Sequence, residues 1–155
     1  MEKIACQLAL VMHENYYQEQ DDLQLNEENF EADLFKFLAN LFQSSDKHFG
    51  YFLLSDFDEI SWRLDYFDKL LEKELPQLSL HFKAIGLQSQ LFLYDWLLTL
   101  FTSVLPPQVC SRLWDQYFLR GELFLYQVAL GLLRYLQSNL ISVSAFNFLS
   151  FVAAP

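Results

Sequence analysis

The chain has 155 residues, which fits one domain, and 53% of them are hydrophobic, enough to build a substantial core. Its formal net charge is −10, from 20 acidic and 10 basic residues, which argues against nucleic-acid binding because that binding needs clustered cations. Sixteen Phe, eight Tyr and three Trp are many for a small domain. We therefore expect some apolar area to face a partner or a missing piece of the same domain.

The cysteines and the apolar runs indicate a soluble protein from a reducing compartment. Cys6 and Cys110 lie far apart and match neither a disulfide framework nor a zinc spacing. The N-terminal residues do not form a signal peptide pattern, because an acidic residue stands at their head and their continuation is amphipathic. The longest apolar run, at 123–133, is shorter than the roughly 20 residues that a membrane span needs. We expect no transmembrane segment.

Helical spacing of apolar residues dominates the chain, and almost no segment alternates with a period of two. The pattern predicts a helix at residues 2–17 and an acidic loop at about 18–29. A second helix follows, opened by Asn29 or by the preceding Glu27-Glu28 pair, with apolar residues at helical spacing up to Phe42. The stretch from Glu14 to Asp33 holds eight acidic residues and no Lys or Arg. It fits a solvated loop that repels itself, and it also fits a docking strip for a basic partner.

The next helices are delimited by proline and glycine. Ile60 to Leu75 forms a predicted helix, and Pro76 either stops it or begins the next short one. Residues 78–85 form another turn or two, and Gly86 supplies the glycine expected just past a helix end.

Two prolines mark the start of the last part of the chain. Residues 90–104 form a strongly apolar predicted helix, and Pro106 and Pro107 then favour a new helix start at 107–119. Gly121 closes that helix, and 122–139 form the last long helix, with a short one at 142–151. The chain contains no predicted strand and no internal repeat, so we predict an all-α fold, a compact multi-helix domain of one unit.

Residues that could carry chemistry do not form a catalytic or metal-binding set. His13, His48 and His81 lie in separate segments, and none has a second ligand at i+3 or i+4. The chain shows no strand-turn-helix nucleophile elbow and no glycine-rich phosphate loop. We therefore predict no catalytic, cofactor-binding or metal-binding residue, and no cofactor.

Two neighbouring pairs, Asp95-Trp96 and Trp114-Asp115, interrupt strongly apolar predicted helices. An Asp in such surroundings is costly unless it is hydrogen-bonded or reaches the surface. Because neighbouring helix positions lie about 100° apart, each Trp can enter the core while its Asp bonds a backbone group, Arg112 or Arg120. Alternatively, the two pairs form part of a recognition face.

The order of landmarks over 74–140 resembles the C-terminal half of the TBC domain, which occurs in activators of Rab GTPases. That family shows a Pro-x-Leu-x-x-His turn, a Gly, a Trp-Leu-x-x-Leu-Phe helix, a Leu-Pro connection, a Leu-Trp-Asp helix and a later Gly. The matching residues are Pro76, Leu78, His81, Gly86, Trp96, Leu97, Leu100, Phe101, Leu105, Pro106, Leu113, Trp114, Asp115 and Gly121. Six of them are expected to determine lobe architecture and not chemistry: Pro76, His81, Trp96, Trp114, Asp115 and Gly121.

The resemblance implies an activity that needs two groups supplied to a bound GTPase. In the family, an Arg comes from Ile-x-x-Asp-x-x-Arg and a Gln from Tyr-x-Gln. No Ile of this chain is followed by Asp three and Arg six residues later. Tyr16-Tyr17-Gln18 satisfies Tyr-x-Gln, but the residues after Gln18 and its position at a helix end do not match the family. We expect the chain to begin just downstream of both fingers.

Two functional interpretations follow from this resemblance. In the first, the chain is part of a Rab GTPase activator, not an enzyme itself, and is inactive alone because it lacks both fingers. In the second, it is a non-catalytic binding or scaffold module whose apolar face is covered by another protein. The implied partner is a Rab-type small GTPase, and the implied location is the cytoplasm, at the periphery of trafficking membranes.

Overall fold

The computed structural model describes residues 27–43 and 57–142, together with residue 9. The helix predicted at 2–17, the short helix at 142–151 and most of the acidic stretch lie outside these ranges. Within them the chain is helical and contains no strand, which confirms the all-α class. The helices are α1 (Glu27–Gln43), α2 (Phe57–Glu74), α3 (Pro76–Ala84), α4 (Gln90–Leu98), α5 (Pro107–Arg120) and α6 (Leu123–Leu140).

Helix α1 begins at the glutamate pair, the earlier of its two predicted starts. Glu27 is already helical, so the end of the predicted acidic loop belongs to the helix. Glutamate in a first helical turn is favourable because the N-terminal end of a helix carries partial positive charge. The apolar residues Leu34, Phe37 and Leu41 recur at helical spacing and pack against the core. The ring of Phe37 meets that of Phe118 edge-on, with centroids 5.2 Å apart, which joins α1 to α5.

Proline and glycine set the helix limits as predicted. Helix α3 begins at Pro76 and α5 at Pro107, where a missing N–H costs no intrahelical bond. Gly86 follows α3 with φ of 68°, and Gly121 follows α5 with φ of 80°. Both values lie in the region that favours glycine.

The helix predicted at 90–104 is shorter than expected. Helix α4 ends at Leu98, and the next turn places Leu100 at φ 47° and Phe101 at φ 66°. Both side chains are fully buried. Left-handed backbone at a residue with a side chain costs about 1–3 kcal/mol, whereas burying one large apolar side chain contributes about 1.5–3 kcal/mol. Core packing therefore outweighs the continuous helical pattern here.

One hydrophobic core connects the described helices. Helix α2 packs against α3, α4 and α6, and α5 packs against α6. Apolar side chains with no exposed surface come from α2 to α6, and include Phe67, Leu78, Leu93, Tyr117 and Leu133. Every helix in the described ranges is too short or too polar to cross a membrane.

Candidate functional site

The side chain of Trp114 is hydrogen-bonded to the turn that follows α4. The side chain is buried, and its Nε1–H donates a hydrogen bond to the carbonyl oxygen of Leu100 at 3.0 Å. Phe101 N–H donates to the carbonyl of Trp96 at 2.8 Å in the same turn. The thiol of Cys110, one turn before Trp114, donates to the Phe101 carbonyl at 3.7 Å. Helix α5 thus supplies a side-chain donor to the Leu100 carbonyl, whereas the Phe101 carbonyl also accepts from the backbone N–H groups of Val104 and Leu105.

Trp96 lies on the other side of the same turn. Its buried indole contacts the rings of Phe92 and Phe101, with centroids 5.0 Å and 5.8 Å away. Its Nε1–H is buried and has no hydrogen-bond partner in the described part of the chain. The structure therefore brings two of the predicted residues, Trp96 and Trp114, together around Leu100 and Phe101.

The other predicted residues lie apart from this turn. Pro76 opens α3, His81 lies half-buried on the same helix beside Phe82, and Gly121 ends α5. Asp95 and Asp115 are both exposed, so each Trp-Asp pair divides between the core and solvent. Solvent hydrates the carboxylates of the two aspartates, which therefore need no buried partner.

A buried ion pair joins α2 to the start of α6. Arg63 is only 2% exposed, and its Nε–H donates to Glu122 Oε1 at 2.7 Å. The Tyr126 hydroxyl donates to the same oxygen at 2.9 Å. The Arg63 guanidinium also lies over the ring of Trp62, 4.7 Å from its centroid. This pairing satisfies a charge that burial would otherwise make very unfavourable.

The acid-base properties of two tyrosines follow from this arrangement. Burial raises the pKa of Tyr126 well above its ordinary value of 10.0, and the negative charge and hydrogen bond of Glu122 raise it further. Burial also raises the pKa of Tyr117, with a contribution from the Glu122 charge. Both hydroxyls therefore stay protonated in the folded protein across the physiological range.

A groove of about 420 Å³ runs between α2 and α6. Apolar side chains of Leu70, Leu123 and Leu130 line it, and the Glu74 and Arg134 side chains pair across one end at 3.6 Å. Gly131 stands in the wall, where an added Cβ would meet no heavy atom within 4 Å. Packing around this position therefore does not require a glycine, although the missing side chain leaves the groove open.

Several large apolar side chains remain exposed. Leu119 is 80% exposed and Tyr135 is 83% exposed, and Leu123 is also exposed at the edge of the groove. No group of three or more His, Cys, Asp or Glu side chains in the described ranges is arranged to hold a metal ion.

Arg63 and Glu122 were not singled out by their sequence positions. A signal for Arg63 exists, because it lies in the apolar stripe of α2, three residues after Ile60 and four before Phe67. A charge at such a position calls for a buried partner. Nothing local identifies Glu122 as that partner, since it lies 59 residues away.

The all-α fold agrees with a family match. The chain matches the family model described as the Rab-GTPase-TBC domain over residues 4–141. This chain therefore belongs to the TBC domain family of Rab GTPase activators.

Individual relatives include two that carry the TBC1 domain name. Drainin of Dictyostelium discoideum is 44% identical over 77 residues, which cover 50% of this chain and 18% of Drainin. TBC1 domain family member 12 of Xenopus tropicalis is 36% identical over 86 residues, 56% of this chain and 13% of that protein. TBC1 domain family member 14 of Bos taurus is 42% identical over 74 residues, 48% of this chain and 11% of that protein.

The matched segments cover less than a fifth of the length of these relatives. No solved structure matches the chain significantly.

Proposed function

We propose that this chain acts as part of a Rab GTPase-activating module and supplies neither the arginine nor the glutamine finger itself. The supporting observation is that the apolar family landmarks of α3, α4 and α5, among them Leu78, Trp96 and Trp114, belong to one core, while no Ile in the sequence begins an Ile-x-x-Asp-x-x-Arg motif. In this role the chain provides a folded lobe against which a GTPase and the finger-bearing residues of another segment or protein can be positioned.

The surroundings of the arginines support this proposal. The sequence contains four arginines, and all of them lie in described ranges. Arg63 is buried in its pair with Glu122, Arg120 lies over Phe124 with 5.4 Å to the ring centroid, and Arg134 is near Glu74. Arg112 is exposed on α5. None occupies the family's arginine motif.

Single-turnover GTP hydrolysis by a panel of GTP-loaded Rab proteins tests this proposal, with the full chain in excess. We expect hydrolysis at the intrinsic rate of each Rab, because an arginine finger contributes about 10³–10⁵-fold in rate and this chain lacks one. Acceleration of any Rab contradicts the proposal. The variants Gln18→Ala, Arg112→Ala, Arg120→Ala and Arg134→Ala then identify the responsible group.

The second candidate function is a non-catalytic binding or scaffold module. The large exposed side chains of Leu119 and Tyr135 favour it, because a protein partner that covers them removes apolar area from water. Equilibrium binding of the same Rab panel, measured by fluorescence anisotropy, separates the two functions. Saturable binding that is equally tight for GDP-loaded and GTP-loaded Rab, without faster hydrolysis, supports the scaffold function, because an activator must favour the GTP-bound form.

A further inference from the structure

The groove between α2 and α6 points toward the end of α6. Its α6 wall is formed at helical spacing by Leu123, Gln127, Leu130 and Arg134. Ile141 lies seven residues after Arg134, about two helical turns on, and its backbone is still helical with φ −64° and ψ −24°. Ile141 is a large apolar residue that is 41% exposed. The chain therefore leaves α6 on the face that borders the groove.

The sequence that follows α6 is uncharged and rich in apolar residues. Residues 143–152 read VSAFNFLSFV and contain three Phe, one Leu and two Val. At about 100° per residue, an apolar stripe with Phe146 and Leu149 faces one way, whereas Ser144 and Asn147 face the other. The stripe also contains Ala145, Phe148 and Val152. A segment with this pattern gains free energy by burying its apolar stripe against a surface.

The length of this segment suits the groove. The way back along α6 from Ser142 to Leu130 covers twelve residues, or about 18 Å at 1.5 Å per residue. Three extended residues followed by seven helical ones span about 20 Å. The segment 143–152 can therefore reach the middle of the groove while α6 keeps its full length.

The covalent connection favours this segment over a separate molecule. Because groove and segment belong to one chain and a short connection joins them, the effective concentration of the segment at the groove is of the order of 1 mM. Docking also buries no unpaired charge, since the segment has none and Glu74 pairs with Arg134 at the end of the groove. A second copy of the chain or a partner helix has to compete with this segment.

We propose that residues 143–152 fold back along α6 and occupy the α2–α6 groove, with their apolar stripe against Leu70 and Leu130. The segment then acts as an intramolecular strap, and a partner protein binds in the groove only after it displaces the strap. The match to the family model ends at residue 141, so membership of the family does not assign this role. The inference goes beyond the proposed function and does not depend on it.

Thiol labelling of the full chain tests the strap. In a Cys6→Ser background, Gly131→Cys places a thiol in the groove wall, where an added Cβ has free space, and Gln108→Cys places one on the exposed start of α5. The remaining Cys110 is buried. We expect a maleimide to label Gly131→Cys at least about tenfold more slowly, because a strap docked about nine-tenths of the time leaves a tenth of these thiols open. Equal rates at the two sites would overturn the proposal.

Two matched pairs of charges show whether the segment causes the protection. Phe146→Asp/Leu149→Asp places charges on the apolar stripe and should raise the labelling rate of Gly131→Cys about tenfold. Ser144→Asp/Asn147→Asp adds the same charges at the same spacing on the opposite side and should leave the rate low. An unchanged rate in the first variant, or an equal rise in both, contradicts the strap.

Circular dichroism checks that both variants remain folded. If Phe146→Asp/Leu149→Asp does not fold, Phe146→Ala/Leu149→Ala takes its place, and labelling should then rise severalfold because less apolar area is buried. A labelling rate unchanged by the alanine pair contradicts the proposal.

A peptide separates the strap from the other occupants of the groove. Residues 143–152, with two added lysines for solubility, should restore slow labelling in the Phe146→Asp/Leu149→Asp variant at a concentration of about 1 mM or above. The same peptide with both Asp substitutions should not. Protection that falls when the protein is diluted would assign the groove to a second copy of the chain, and protection that needs another added protein would assign it to a partner; either result contradicts the strap.

Discussion

The turn between α4 and α5 and the interface between α2 and α6 both join apolar helices. They differ in how far their side chains are shielded from solvent. Around the turn, two tryptophans and the side chains of Leu100 and Phe101 are buried, and an indole N–H satisfies the backbone. At the α2–α6 interface, the Arg63–Glu122 pair is buried beside a groove that stays open at Gly131. Similar composition therefore yields a closed architectural element in one place and an accessible surface in the other.

The comparison predicts that the charged interface is the more sensitive to single changes. Arg63→Met should lower the free energy of unfolding by about 3–5 kcal/mol, because it leaves Glu122, which is 10% exposed, buried without its partner. Urea denaturation of the variant measures this change. The double variant Arg63→Met/Glu122→Gln should recover at least half of the loss, and the exposed control Arg112→Met should change little. A single variant as stable as the parent would refute the structural importance of the pair.

Loss of the Trp114 indole donor should destabilise the protein somewhat less than loss of the Arg63 charge. Trp114→Phe removes the hydrogen bond to Leu100 and part of the buried volume, so we expect a loss of about 2–3 kcal/mol. Thermal and urea unfolding measure it. Tyr135→Phe is the control, because Tyr135 is 83% exposed and its change should cost well under 1 kcal/mol. Equal effects at both positions would show that the turn does not depend on the indole bond.

Gly121, at the end of α5, should tolerate substitution less well than its partial exposure suggests. Gly121 has φ 80° and ψ −168°, a conformation almost restricted to glycine. Gly121→Ala should therefore lower the free energy of unfolding by about 2 kcal/mol, measured by urea denaturation. A loss below the roughly 0.5 kcal/mol typical of surface changes would show that the chain can leave α5 by another conformation.

The buried tyrosines predict a loss of stability in alkali. Because folding raises the pKa values of Tyr117 and Tyr126, the folded state retains protons that the unfolded state releases above about pH 10. The free energy of unfolding should be unaffected by these groups below pH 9. Above pH 10 it should fall by up to about 1.4 kcal/mol per pH unit for each tyrosine.

Tyr126→Phe provides the control for the alkaline prediction. Urea titrations at pH 8–11 should show a shallower decline for this variant because only Tyr117 then contributes. A decline identical to that of the parent protein would show that Tyr126 does not contribute to the loss of stability in alkali.

Substitution of Gly131 in the groove by alanine should change the free energy of unfolding in the opposite direction from the same substitution of Gly121. Gly131 lies inside a helix with no atom near its missing Cβ, so Gly131→Ala should raise the free energy of unfolding by about 0.8 kcal/mol. The increase is measured in the same urea experiments. Destabilisation by this change would mean that the groove wall is more tightly constrained than its geometry indicates.

Local sequence signals predicted the helical class and most helix limits because they act within one or two turns. Pro76 and Pro107 start helices, Gly86 and Gly121 follow helix ends, and the apolar stripe of α2 faces the core. The same signals failed at α4, where the apolar pattern continues through Leu100 and Phe101 although the helix stops at Leu98. Periodicity cannot distinguish a buried turn from a buried helix when all its residues are apolar.

Sequence alone determined that this protein is an all-α member of the TBC family, because helix signals and the order of the family landmarks are written along the chain. Only the tertiary structure decided which residues meet: Arg63 with Glu122, Trp114 with the Leu100 carbonyl, and Ser89 with Asp68. The physical reason is that burial and hydrogen bonding between distant residues depend on how the helices pack, and packing depends on the whole core at once.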